Sequence, residues 1–491
     1  MHPGSARFWT RIVAAGSSVF LFGIPLFFWL KRCSENWTDF QFLKLVYSPF
    51  VLHLVMQTMG VAVQSGGVIF IAGLAMAFLI YSFKPRLRMA IRFLLSVFWL
   101  LPSLFFVWLT RGLLKQAGLE QWLYRFSAVQ VCWVIGFTPY FALGVLRILE
   151  DLDPREIEAA KTLGASASWI GRTLYWRAIR PGVGVLSIQI FWLIFTSFSV
   201  VVLLGGGSPQ DTLETAIYQA VRFDEVRVDH AFALAIWQVV LLLGLTQIQK
   251  LGCSRVNQMQ PIHGAVWGTL PVKRKGIFQG ILIIISGLGV AMMAKIFLSE
   301  PAGGPLFQSW LQSCFLAAGV SGLTLILAFV FYFGLRRFSD WGAYCSPMIL
   351  SLMVWEAYGA ASFPILLCLV VQVALFLPWV SRNLYPLLDR KRIAEQEAAR
   401  TLGATNLKAW LTVEWPRVLP EVKKIAVWIS VFSMAEVSSV ILFSRGQFEP
   451  LAVWSQNQFA RFQWQEGYLG VEILVLTTLI GVAVSVYQES A

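Results

Sequence analysis

Charge is what this sequence has least of. Only 13% of its 491 residues are charged, against 57% hydrophobic, where soluble domains carry about 25% charged residues. That balance excludes an ordinary soluble domain and indicates an integral membrane protein. Metal and redox chemistry are also poorly provided for. The six cysteines form no CxxC pair and the four histidines no HExxH, so neither a disulfide framework nor a metal cluster is expected. There is no GxxxxGK[ST] loop, so the chain has no such means of holding ATP. The Gly205-Gly-Gly207 run lacks a following Lys-Ser/Thr and reads as a flexible turn. No paired His/Asp cluster is present to do chemistry, which argues for a non-enzymatic subunit.

What the chain does have is long apolar runs. A membrane-spanning helix needs about 20 mostly apolar residues. On that rule about twelve spans are expected, near 12–30, 50–80, 92–110, 128–148, 182–204, 231–249, 277–297, 308–334, 343–359, 362–381, 423–444 and 467–487. The net charge of +13 fits this class, because Lys and Arg gather in cytoplasmic loops. Lys84, Arg86, Arg88 and Arg92 fall on one side, with Lys250, Arg255, Lys273, Arg274, Lys275, Arg336 and Arg337. The other side is richer in acids, including Asp211, Glu214, Asp224, Glu225 and Asp229. Both termini are expected to be cytoplasmic, and the scattered cations do not form a nucleic-acid patch.

Two polar islands interrupt the apolar pattern, and they are copies. Glu156-Ile-Glu-Ala-Ala-Lys-Thr-Leu-Gly-Ala165 returns as Glu395-Gln-Glu-Ala-Ala-Arg-Thr-Leu-Gly-Ala404, at a constant offset of 239 residues. Between 156–183 and 395–422, 12 of 28 positions are identical, and Pro139 and Pro181 match Pro378 and Pro420 at the same offset. The expected organisation is therefore a first half at 1–250 with its loop at 150–181, a cytoplasmic linker at 251–276, and a second half at 277–491 with its loop at 386–420. Halves with the same even number of spans make a parallel repeat. Both loops share the cation-rich, cytoplasmic side.

Each loop reads as helix, glycine, helix. Asp153-Pro154 is a start signal, and Gly164 and Gly403 can take the left-handed conformation that ends a helix. A second short helix is expected from Ser166 or Ser168 toward Trp176, closed by Pro181. Ala159, Thr162 and Leu163 lie at i, i+3 and i+4, a small and weakly apolar face. Glu158 and Lys161, repeated as Glu397 and Arg400, have i, i+3 spacing. A solvated loop would be expected to drift between copies, whereas a docking face would not.

The two copies, Glu158-Ala159-Ala160-(x3)-Gly164 and Glu397-Ala398-Ala399-(x3)-Gly403, resemble the EAA loop of binding-protein-dependent ABC importer permeases. The resemblance covers nearly the whole chain and implies an all-α fold of two homologous six-helix halves, a type I importer transmembrane domain in the inner membrane. It also implies that these eight residues form ATPase-coupling helices. The implied partners are a separate cytoplasmic ABC ATPase, in two copies for two loops, and a periplasmic substrate-binding protein. The chain itself would hold no cofactor, since ATP and magnesium belong to the ATPase. A single chain with both halves resembles the fused thiamine and ferric-iron group, and Leu203–Gln219 is similar to the thiamine permeases within it. A polyamine or another small solute remains an alternative cargo.

One acid lies within the expected eleventh span. Glu436 is costly there and marks a functional position by default, so it is the candidate on the translocation path, with Ser197 as its counterpart in half one. An ion-coupled secondary transporter is a competing reading, but that class normally carries several intramembrane charges.

Overall fold

The computed structural model describes residues 3–37, 40–205, 210–222, 228–253, 291–294, 303–336, 345–359, 363–389, 393–444 and 448–490, with single positions 207, 339 and 342. Among these the chain is all helix and turn. Among the described residues, eight helices are long and apolar enough to cross a membrane, or nine if one bent pair is counted. The expected linker beyond Cys253 and almost all of the expected span 277–297 lie outside the described residues.

Four expected spans take a different form. The run 92–110 is two helices, Pro85–Trp99 and Ser103–Gln116, which meet at an angle of 102°. Pro102 caps the second of them, and the residue before a proline is driven out of helical geometry. The run 343–359 gives only the 12-residue helix Pro347–Tyr358, too short to span. The run 423–444 breaks: helix Trp415–Ala435 ends at Glu436, whose backbone is extended. The span expected at 182–204 likewise ends at Phe195, followed by the separate short helix Ser199–Gly205.

The chain divides into two compact units, residues 36–270 and residues 1–35 with 271–491. In this division the N-terminal helix groups with residues of the second half. Gly334 is the physical reason. A side chain there would meet Ala14 Cβ at 2.7 Å and the Thr10 carbonyl at 2.8 Å, so glycine lets the backbones approach. Farther along, the Tyr358 hydroxyl donates to the Phe20 carbonyl at 2.6 Å.

Within each unit one long helix sets the vertical scale. In the first it is Pro49–Ser82. Near its start, Thr58 Oγ1 accepts from the Leu213 N–H at 3.2 Å, which anchors the 10-residue helix Leu213–Arg222. Near its end, Phe78 and Tyr81 hold Tyr175 of the polar loop, with ring centroids 6.1 and 6.0 Å away. Helix Gly303–Phe333 repeats the plan. Ser313 accepts from the Leu451 N–H at 2.7 Å, which anchors helix Leu451–Ala460, while Phe329 and Phe333 meet Trp410 of the second loop. At about 1.5 Å per residue, the stretch from Thr58 to Phe78 and that from Ser313 to Phe333 each span roughly 30 Å, a hydrocarbon thickness.

Candidate functional site

The paired loops superimpose in sequence register almost to the residue. Helix Pro154–Thr162 corresponds to Ile393–Thr401, Ala167–Ile170 to Asn406–Ala409, and the π turn Gly171–Tyr175 to Trp410–Glu414. Each start differs by 239. The helices that follow begin at Trp176 and Trp415, again 239 apart. The short helix is not closed by Pro181. It runs through the π turn into Trp176–Phe195, with Pro181 inside that helix as Pro420 is inside Trp415–Ala435. A π turn shifts the hydrogen-bond ladder by one residue, so the loop leads into its span as one bent rod.

Local chemistry fixes each helix end. Asp153 Oδ1 accepts from the Arg155 N–H at 2.9 Å, an N-cap with Pro154 in the first turn. At the far end Gly164 and Gly403 sit at φ +78° and +86°. The Ala165 N–H donates to the Ala160 carbonyl at 3.0 Å and the Gly164 N–H to Lys161 at 3.0 Å. Ala404 to Ala399 at 3.0 Å and Gly403 to Arg400 at 2.9 Å repeat the pair. This is a Schellman closure. Ser166 Oγ then accepts from the Trp169 N–H at 3.3 Å, and Thr405 Oγ1 from the Lys408 N–H at 3.3 Å, so both second helices are hydroxyl-capped.

The faces now separate. Ala160 turns inward with Ile157 and Ile170, against Ala165, Leu174 and Tyr175. Glu158, Ala159, Lys161 and Thr162 are exposed, as are Glu397, Ala398 and Thr401; Ala399 is half-buried. Leu163 is 88% exposed and Leu402 89%. An isolated exposed leucine is ordinary, but here one stands bare at the same position of both copies, beside a small-residue face. Of the eight residues expected to couple, Ala160 and Ala399 shape the helix and the glycines end it; Glu158, Ala159, Glu397 and Ala398 are open to a partner. Leu163, at i+4 from Ala159, belongs to the face that the spacing already marked.

The base of each loop is clamped by an ion pair. Glu150, the last residue of helix Phe126–Glu150, pairs with Arg92 at 2.5 Å. Asp389, at the offset of 239, pairs with Arg336 at 2.7 Å. Arg88 lies over Tyr81 at 4.5 Å, and Arg336 over Tyr385 at 5.0 Å and Tyr332 at 5.5 Å. Hydrogen bonding to Asp389 holds the Arg336 guanidinium above its ordinary range.

Glu436 and Ser197 occupy equivalent breaks between helices rather than span interiors. Glu436 Oε1 accepts from the Ser439 N–H at 3.2 Å, so the carboxylate caps the turn that follows. Ser197 Oγ accepts from Trp133 Nε1 at 2.9 Å. The counterpart of Trp133 is Gln372, fully buried. Its amide donates to the Ser433 carbonyl and to Ser439 Oγ, both at 3.4 Å, and accepts from Ser433 Oγ at 2.5 Å. Gln372 thus ties the two sides of the break together, a role that a single polar residue in an apolar run did not disclose.

Residues 69–248 match the family model for the binding-protein-dependent transport system inner membrane component, a stretch containing the whole first loop. The chain is 23% identical over 471 residues to the thiamine transport system permease protein ThiP of Haemophilus influenzae, covering 87% of each chain. To the protein of that name in Escherichia coli it is 26% identical over 261 residues, 49% of this chain and 45% of the relative. To that of Brucella abortus it is 28% identical over 172 residues, 35% and 31% of the two chains. No solved structure matches.

Proposed function

We propose that this chain, an inner membrane component of the binding-protein-dependent transport family and an ABC importer permease, carries both permease halves of an ATP-driven importer of thiamine or a thiamine derivative. The observation that carries this reading is the duplicate loop, with its bare leucine, exposed acid and glycine closure at one offset. Two docking helices in one chain serve two ATPase subunits, which bind the ATP and magnesium. When ATP closes those subunits they draw the loops together, and the halves rock about a central path, a population shift between two states. Both loops and both termini face the cytoplasm.

The opposite ends, around helices Leu213–Arg222 and Leu451–Ala460, receive a periplasmic binding protein. The thiamine reading rests on the names of the relatives, on the similarity of Leu203–Gln219 and on the chemistry of the path. Thiamine is a cation, and Glu436 offers a carboxylate at the break where half one has Ser197. The test is reconstitution of the chain with its ATPase and binding protein in proteoliposomes. ATP-dependent uptake of labelled thiamine or thiamine phosphate is expected. Uptake of ferric iron or a polyamine instead overturns the substrate, and uptake without any ATPase overturns the mechanism.

A further inference from the structure

The two loops share their backbone but not the chemistry that holds them. In loop one, Ile157 packs against Leu174 and Tyr175 in an apolar cluster. At the same offset Ile157 becomes Gln396, Tyr175 becomes Glu414, and Ala178 becomes Arg417. These three replacements are not independent. Gln396 Nε2 donates to Glu414 Oε1 at 2.9 Å, and Arg417 Nη2 donates to Glu414 Oε2 at 2.5 Å and to the Leu387 carbonyl at 3.0 Å. Glu414 is only 3% exposed. One buried carboxylate therefore joins the loop helix Ile393–Thr401 to the π turn behind it. Through Arg417 it also reaches the last turn of helix Pro364–Asp389. The aromatic contact that Tyr175 makes in half one is supplied in half two by Trp410, where half one has Gly171.

We propose that Glu414 is a positioning residue that fixes the second loop helix through a directional polar brace, while the first rests on non-directional apolar packing. Charge-assisted hydrogen bonds set distance and angle together, and a buried acid stripped of its partners is left with an uncompensated desolvation cost. Apolar contact is roughly proportional to area and tolerates sliding. Loop two is thus the rigid one of the pair and loop one the compliant one. For its consequence in transport, this assignment rests on the reading of the loops as ATPase-docking elements; the brace itself does not.

Hydrogen exchange of the full-length chain in lipid nanodiscs, without partners, decides it. Glu414→Gln is expected to speed exchange of backbone amides in 396–402 by about tenfold, leaving those in 157–163 unchanged. Gln396→Ala, a milder change at the loop surface, should move the same segment in the same direction. Installing the first-half set together, Q396I with E414Y and R417A, should restore protection. Unchanged exchange in 396–402 for both single variants overturns the proposal, as does equal acceleration in the two loops or failure of the triple set to restore protection. A wild-type chain that binds no ATPase would sink the docking reading and leave the exchange result standing.

Discussion

Gly164 and Gly403 are the residues on which each loop turns. Their φ values lie in the left-handed region, yet nothing stands within 4 Å of where a side chain would begin. A substitution there is opposed by backbone strain alone, about 1–2 kcal/mol for an ordinary residue and more for a β-branched one. Gly164→Asn is accordingly expected to keep most transport, whereas Gly164→Val should lower it about tenfold or more without loss of membrane insertion. Uptake and membrane yield measured side by side separate the two. Leu163 and Leu402 behave differently, because they touch little in their own chain. Burying one leucine is worth about 1.5–3 kcal/mol, so L163D or L402D should weaken binding of the ATPase roughly 10- to 100-fold. Thermal stability of the isolated permease should not change. Co-purification with the ATPase, titrated over concentration, measures the first, and an unaltered affinity removes these leucines from the docking surface.

At the scale of elements, continuity is what hydropathy misjudged. Composition counts apolar residues but does not say whether they form one rod. Leu101-Pro102 converts one expected span into a sharply bent pair, and Glu436 and Ser197 stand where rods end, not where they are buried mid-span. In the loops the opposite happened: Pro181 reads as a stop, but the helix Trp176–Phe195 continues through it. The N-terminal helix is a further case. Its placement depends on Gly334, a residue more than 300 positions away. Gly334→Val should force the two backbones apart, since a Cβ there lies under 3.0 Å from Ala14 and Thr10. Chemical crosslinking between cysteines placed at Phe20 and Tyr358, whose rings are 5.1 Å apart, is expected to fall in that variant. Retained crosslinking would show that the glycine is not what admits the helix.

For the molecule as a whole, duplication is the organising fact, and the departures from it are informative. Ion-pair clamps, glycine closures, hydroxyl caps and bare leucines recur in both units. Glu436 and the loop brace do not: Glu436 stands opposite Ser197, and Glu414 opposite Tyr175.

The sequence alone determined the class, the duplicated loops and their helix–glycine–helix form. Those follow from composition and short-range rules, in which each residue acts on neighbours within a turn or two. It also singled out Glu436. Only the tertiary structure decided which half receives the N-terminal helix, where Pro102 and Glu436 break the spans, and how Gln372 and Glu414 are used. Each of these turns on a contact between residues distant in the chain, and a side chain's partner across such a distance is set by packing, which local pattern does not encode. The scarcity of charge with which the chain begins takes its meaning there. With so few charged groups, the buried Glu414 and its Arg417 partner stand out as one of the places where the fold commits a charge to a single geometry.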